Sequence, residues 1–186
     1  MGNRISWREL QPNPGDEINW SLLASFEEEL GNLRAAGITP VVIIQDSPHW
    51  AVIPKVRQDG KPTSCGPIAE AYFDEFADFV RQLAERYKSP EFNIHNWEIG
   101  NEPDIDPNGV VVDSIFGCWG DFADDLYGGE HYGEMLKHIT PVIKAADPSA
   151  KVWIGGLLLD SPNSIPAYGS RPELFFKGIL ESGAAA

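Results

Sequence analysis

Cysteine and methionine are scarce in this chain, with two of each among 186 residues. Two cysteines exclude a disulfide-dense scaffold and a four-cysteine zinc site. One bridge or two free thiols both stay open. Positive charge is also in short supply. Fourteen Lys and Arg stand against 28 Asp and Glu, a formal charge of −14 with the four His neutral. That balance argues against nucleic acid and against an anionic membrane surface as partners, since both need a basic footprint. No apolar run approaches the ~20 residues of a membrane-spanning helix. The first ten residues, Met1 to Leu10, lack the apolar stretch of a signal peptide, so no compartment is legible there. No glycine-rich phosphate loop follows a strand-like segment, and Gly155-Gly156 is too short for a dinucleotide fingerprint.

What is present is a globular composition. Hydrophobic residues make up 42% and aromatics 11%, which excludes a disordered segment and suits one core. Residues 1–186 therefore read as a single domain. Pro40 to Gln45 is a continuously apolar, β-branched run that suits a strand buried on both faces. Asn93 to Gly100 and Lys151 to Gly156 are further strand candidates, and Ile5 to Trp7 is the stub of another. Helical faces separate them. Leu22, Leu23, Phe26, Leu30 and Leu33 form the first, ended by Gly37. Phe73, Phe76, Phe79, Val80, Leu83 and Tyr87 form the second; Tyr132, Met135, Leu136, Ile139 and Ile143 the third. Pro172 to Leu180 opens a fourth, with Pro at a first-turn position.

The alternation of strand and helix predicts βαβ units and a parallel sheet, an α/β fold. Short linkers follow the helices, whereas long segments, Asp46 to Gly66, Asn101 to Gly129 and Leu157 to Arg171, follow the strands. Long loops at the C-terminal ends of parallel strands are where such folds place their sites. With no phosphate loop, the pattern favours a (β/α)₈ barrel. A complete barrel takes ~250 residues. The four units legible here predict a partial barrel, incomplete at both ends, about strands two to five.

The segment richest in chemistry is Trp97-Glu98-Ile99-Gly100-Asn101-Glu102-Pro103-Asp104, which leaves a strand and enters the longest loop. Glycoside hydrolysis needs one carboxylic acid to protonate the leaving oxygen and a second carboxylate across the sugar; an adjacent amide can hold the 2-hydroxyl. Strand alternation puts Glu98, Gly100 and Glu102 on one side, with Glu98 deeper. The bland reading of Glu98, and the favoured one, is a buried carboxylate paired with an Arg. Asp46 and Asp160, each beyond a strand, could in principle supply a local second carboxylate, but read better as loop caps or sugar ligands. His49 and Trp50 suit a hydrogen-bond donor beside a stacking ring, and equally ordinary loop packing. Phe116, Trp119 and Tyr127 suit sugar stacking or a small core of the loop itself. Trp7, Trp20 and Trp153 read as packing, and His95 as a satisfied core histidine within its strand. Asp104-Ile105-Asp106-Pro107-Asn108-Gly109 imitates the start of a calcium loop, but Ile115 stands where the bidentate Glu belongs and Pro107 interrupts it. The further acids Asp113, Asp121, Asp124 and Asp125 make a dense negative loop that reads as a solvated acidic surface. No metal and no cofactor is called for. Cys65 and Cys118 fall on successive strand-end loops, so a bridge could pin two site loops.

Asn101-Glu102-Pro103 at the end of a buried strand resembles the Asn-Glu-Pro motif of clan A glycoside hydrolases. Ile5-Ser6-Trp7 with Gln11-Pro12-Asn13-Pro14-Gly15 and Trp20, then Gln45-Asp46-Ser47-Pro48-His49-Trp50-Ala51, make the pattern most similar to family 39 and its relatives, the β-xylosidase and α-L-iduronidase type. The resemblance implies a retaining (β/α)₈ enzyme acting on a carbohydrate, with Glu102 as general acid/base and Asn101 on the 2-hydroxyl. His49, Trp50 and Trp119 join Asn101 as candidate substrate contacts. The family's nucleophile, a Glu ending strand seven, has no counterpart here and is expected C-terminal to this chain. The alternative is a non-catalytic carbohydrate-binding or structural remnant. Self-association of two half-barrels is a third possibility.

Overall fold

The computed structural model describes residues 4–110, 112, 114–158 and 170–184. Asp113 and Asp160, singled out above, lie outside them. Four strands, β1 (Arg4–Ser6), β2 (Val42–Gln45), β3 (Asn96–Ile99) and β4 (Lys151–Ile154), form one parallel sheet in the order β1-β2-β3-β4. The helices between and after them are α1 (Trp7–Leu10), α2 (Ala24–Ala35), α3 (Phe73–Tyr87), α4 (Gly129–Ala146) and α5 (Pro172–Glu181). This is the α/β alternation that the periodicity predicts.

The strands are shorter than the apolar runs, for local reasons. Trp7 does not extend β1. The Ser6 hydroxyl accepts from the Glu9 N–H at 3.1 Å and caps the single turn α1, which Trp7 opens. β3 stops at Ile99 because Gly100 takes a positive φ of 81°. His95 precedes β3. It is half-buried on the surface, where Asp147 and Ser149 satisfy its ring at 2.6 and 2.9 Å.

Register decides which side of the sheet is packed. Ile5, Ile44, Ile99 and Ile154 align in one row across all four strands. Three are buried and Ile154 is partly so. Right-handed crossovers put the helices on that face. There α3 contributes Phe73, Phe76, Phe79, Val80, Leu83 and Tyr87, all buried, each side chain worth roughly 1.5–3 kcal/mol of transfer energy. The adjacent row, Arg4, Ile43, Glu98 and Trp153, points the other way, and none of the four is fully buried. The expectation of strands buried on both faces is therefore corrected: among the described residues the sheet is covered on one side. Trp153, read as packing, is 49% exposed on that uncovered side. Leu22 is likewise exposed; it precedes α2 in a 3₁₀ turn whose geometry turns it away from the face shared by Leu23, Phe26 and Leu30.

Candidate active site

The loop after β3 is built by two left-handed residues. Gly100 at φ 81° still donates to the Ile44 carbonyl at 2.7 Å, prolonging the pairing with β2, and Glu102 sits at φ 45°. The strand's alternation therefore ends at Ile99, and the shared facing expected for Glu98, Gly100 and Glu102 does not hold. A non-glycine residue with positive φ is uncommon, and such strain concentrates at functional sites. Glu102 is held by backbone alone. Its N–H donates to Gly156 O at 2.9 Å, and its carbonyl accepts from Ile105 N–H at 3.2 Å. The side chains of Asn101 and Glu102 are half-exposed and make no hydrogen bond to a described residue, so both are free to meet a ligand.

The platform beneath them comes from β4 and α4. A Cβ on Gly155 would stand 2.8 Å from Gly100 O, 2.9 Å from Ile99 O and 2.9 Å from Pro103 Cδ, so only glycine lets the two strand ends meet this closely. The fully buried phenol of Tyr132 donates to Ile99 O at 2.5 Å and accepts from Gly155 N–H at 3.2 Å. Desolvation pushes that phenol well above the usual range, so it stays a donor. Glu98 accepts from Gly156 N–H at 3.2 Å. The expected Arg partner is absent among the described residues, because the neighbouring polar group is a backbone amide.

Asp104 follows, buried. Its Oδ1 accepts from Leu158 N–H at 2.9 Å and its Oδ2 from the Ser170 hydroxyl at 2.6 Å. Burial pushes its carboxyl up, and these bonds pull it back in part. Asp106 Oδ1 accepts from both nitrogens of Asn108 at 2.8 and 2.7 Å. Asp104 thus fastens two loops and Asp106 caps its own turn, while Asp124 and Asp125 are exposed, as a solvated acidic surface requires.

At the end of β2, Asp46 also has a positive φ, 62°, and is buried. Ser6 Oγ donates to its Oδ2 at 2.6 Å and Arg8 lies 2.9 Å from its Oδ1. Arg8 also reaches His49 Nε2 at 3.4 Å, leaving His49 exposed on the rim. Burial raises the Asp46 carboxyl; Ser6 and Arg8 oppose that. Asp46 is a joint between β1 and β2. Trp50 is half-buried, its ring edge-on to Trp7 and Tyr72. Trp119 is buried against His131 and Tyr132, and borders a cavity of about 30 Å³ between the ends of β2 and β3. Tyr127 is buried edge-on to Phe122. Phe116 packs on a small cluster of Cys65, Ile105, Val110 and Cys118.

Cys65 and Cys118 form a disulfide that joins the loops after β2 and β3. Sequence spacing made Glu102 and Asn101 visible. It missed Arg8, Tyr132 and Gly155 as site-building residues; the only signal was a glycine pair where a strand ends.

No protein-family model matches the sequence, and no curated protein does. Solved structures do. A glucosidase from Croceicoccus marinus superposes with a TM-score of 0.51 at 17% identity, over 92% of this chain and 29% of that one. Endo-glycoceramidase II from Rhodococcus sp., in an iminocyclitol complex, gives 0.50 at 17% identity over 87% and 44%. A beta-galactosidase from Marinomonas ef1 gives 0.51 at 14% identity over 81% and 32%. The fold is that of part of a glycosidase barrel. The chain spans less than half the length of each of these glycosidases. Identities this low show the fold and nothing finer.

Proposed function

We propose that the chain is the acid/base-bearing part of a retaining glycoside hydrolase, most similar to family 39 and its clan A relatives. The observation that carries this is the placement of Asn101-Glu102-Pro103 at the C-terminal end of a parallel strand, with Glu102 in a strained conformation and its side chain making no hydrogen bond to a described residue. Glu102 would protonate the leaving oxygen, a second carboxylate expected C-terminal to this chain would attack the anomeric carbon, and Glu102 would then activate water. Asn101 would hold the 2-hydroxyl, with His49, Trp50 and Trp119 as the remaining substrate contacts proposed from the sequence. Trp50 is half-buried, and Trp119 is only 5% exposed, so little of the Trp119 ring can meet a ligand directly.

Glu102→Gln in the protein that carries both carboxylates tests this. An acid/base loses roughly 10²–10⁴-fold on glycosides with poor leaving groups. It keeps the first step on dinitrophenyl glycosides, and azide restores the second. A second reading is a non-catalytic sugar-binding unit that uses Asn101 and the loop aromatics without chemistry. It predicts unchanged sugar affinity in Glu102→Gln and no turnover in either form.

A further inference from the structure

A second cavity, of about 520 Å³, opens where the loops after β2 and β3 meet the start of α5. Its size falls within the ~300–1,000 Å³ of small-molecule sites. We propose that it is a subsite for a neutral glycosyl unit, which makes the substrate an oligosaccharide or polysaccharide. This rests on the glycosidase reading above and names its substrate class.

The lining has the mixed chemistry a polyol needs. Lys55, Gln58 and Asn108 offer donors; Asp106 and Asp121 offer acceptors. Asp106 is 4% exposed, yet its Oδ2 accepts no hydrogen bond from a described residue, while Oδ1 is doubly occupied. That oxygen faces the cavity, where a ligand hydroxyl can donate to it in place of water. The charges balance: Lys55 and Arg171 against Asp106 and Asp121, with Lys55 bound to Asp121 at 2.8 Å. That balance disfavours a phosphate or a uronate and suits a neutral sugar. Phe122 is 41% exposed and backed by the Arg171 guanidinium at 4.9 Å. Tyr127 also packs edge-on with it, and the part of the ring left exposed offers an apolar surface to a sugar.

The cavity is also built before any ligand arrives. Gln58 N–H donates to Asn108 Oδ1 at 2.6 Å, Lys55 pairs with Asp121, and the Cys65–Cys118 disulfide locks the same two loops. Preorganisation of this kind lowers the cost of binding. The wall is continuous with the loop of Glu102. Trp119 N–H donates to Pro103 O at 2.9 Å, and Gly120 lies against Asp104 O so closely that a Cβ would approach it to 2.5 Å.

The test is calorimetric titration of the 186-residue chain with cello-, xylo- and galacto-oligosaccharides of one to six units, against Phe122→Ala and Asp106→Asn. Affinity that rises with length in the wild type, and falls about tenfold for the longer ligands in both variants with monosaccharide binding unchanged, supports the subsite. Phe122 is exposed, so Phe122→Ala keeps the test informative should Asp106→Asn disturb the loop. Length dependence untouched in Phe122→Ala overturns the subsite and leaves the glycosidase reading standing. Preference for sulfated or uronate oligomers over neutral ones overturns the neutral assignment. Absence of binding to every sugar overturns the glycosidase reading, and the subsite with it.

Discussion

The Tyr132 hydroxyl donates to the carbonyl of Ile99 at 2.5 Å. Through that bond a helix on the packed side of the sheet grips the last residue of the strand that launches Asn101 and Glu102. The same oxygen receives Gly155 N–H, so one buried phenol joins the ends of β3 and β4.

Tyr132→Phe should therefore be destabilising. It leaves a buried carbonyl and a buried amide short of a partner, at about 1–3 kcal/mol. Urea unfolding should show a lower midpoint with an unchanged slope. A midpoint equal to the wild type's would show that the phenol holds nothing.

Adjacent glycines should respond differently. Gly155→Ala forces a methyl against two carbonyl oxygens and Pro103, which should cost about 1–3 kcal/mol. Gly156→Ala meets nothing within 4 Å and should stay within about 0.5 kcal/mol of the wild type. Paired thermal melts decide it; equal shifts would refute the close approach at Gly155.

Reduction of the disulfide should lower stability. The bridge spans 53 residues of sequence. On the chain-entropy account that constrains the unfolded state by about 4 kcal/mol, with 2–4 typical of measured bridges. Melting with and without reductant measures the loss. Thiol titration of the denatured, unreduced chain should find no free sulfhydryl, since no cysteine is left over.

Asp104 should make stability fall as pH rises. Its carboxyl is raised above the usual 3.8 by burial, so the folded state holds the proton longer than the unfolded one. Between the unfolded value and the raised folded value, each step up in pH removes stability, and the loss is complete above the folded value. Asp104→Asn cannot ionise. Its unfolding free energy, followed from pH 3 to 7, should lack this decline relative to the wild type. Parallel curves would mean that Asp104 ionises equally easily in both states.

The sequence alone determined the parallel α/β order, the face of α3 and the Asn-Glu-Pro segment. Each is written in local terms: a β-branched run, a 3.6-residue spacing, or three adjacent residues at a strand end. Local pattern also misled where a neighbour in space decides the outcome. Trp153 has the composition of a core residue, but its strand position turns it to the uncovered side. Glu98 meets a backbone amide where an Arg was expected, because Gly156 comes from 58 residues away. Whether Cys65 meets Cys118, and whether Asp104 holds an ion or joins two loops, were likewise undecidable from spacing.

Tertiary structure decided these because each depends on a contact between segments distant along the chain. A carboxylate is the same residue on the page whether its partner is a lysine, an amide or water. Its role follows from what the folded chain brings within 3 Å of it. The identity of Glu102 as a candidate was local; the platform under it, of Tyr132, Gly155 and Gly156, exists only when β3, β4 and α4 come together.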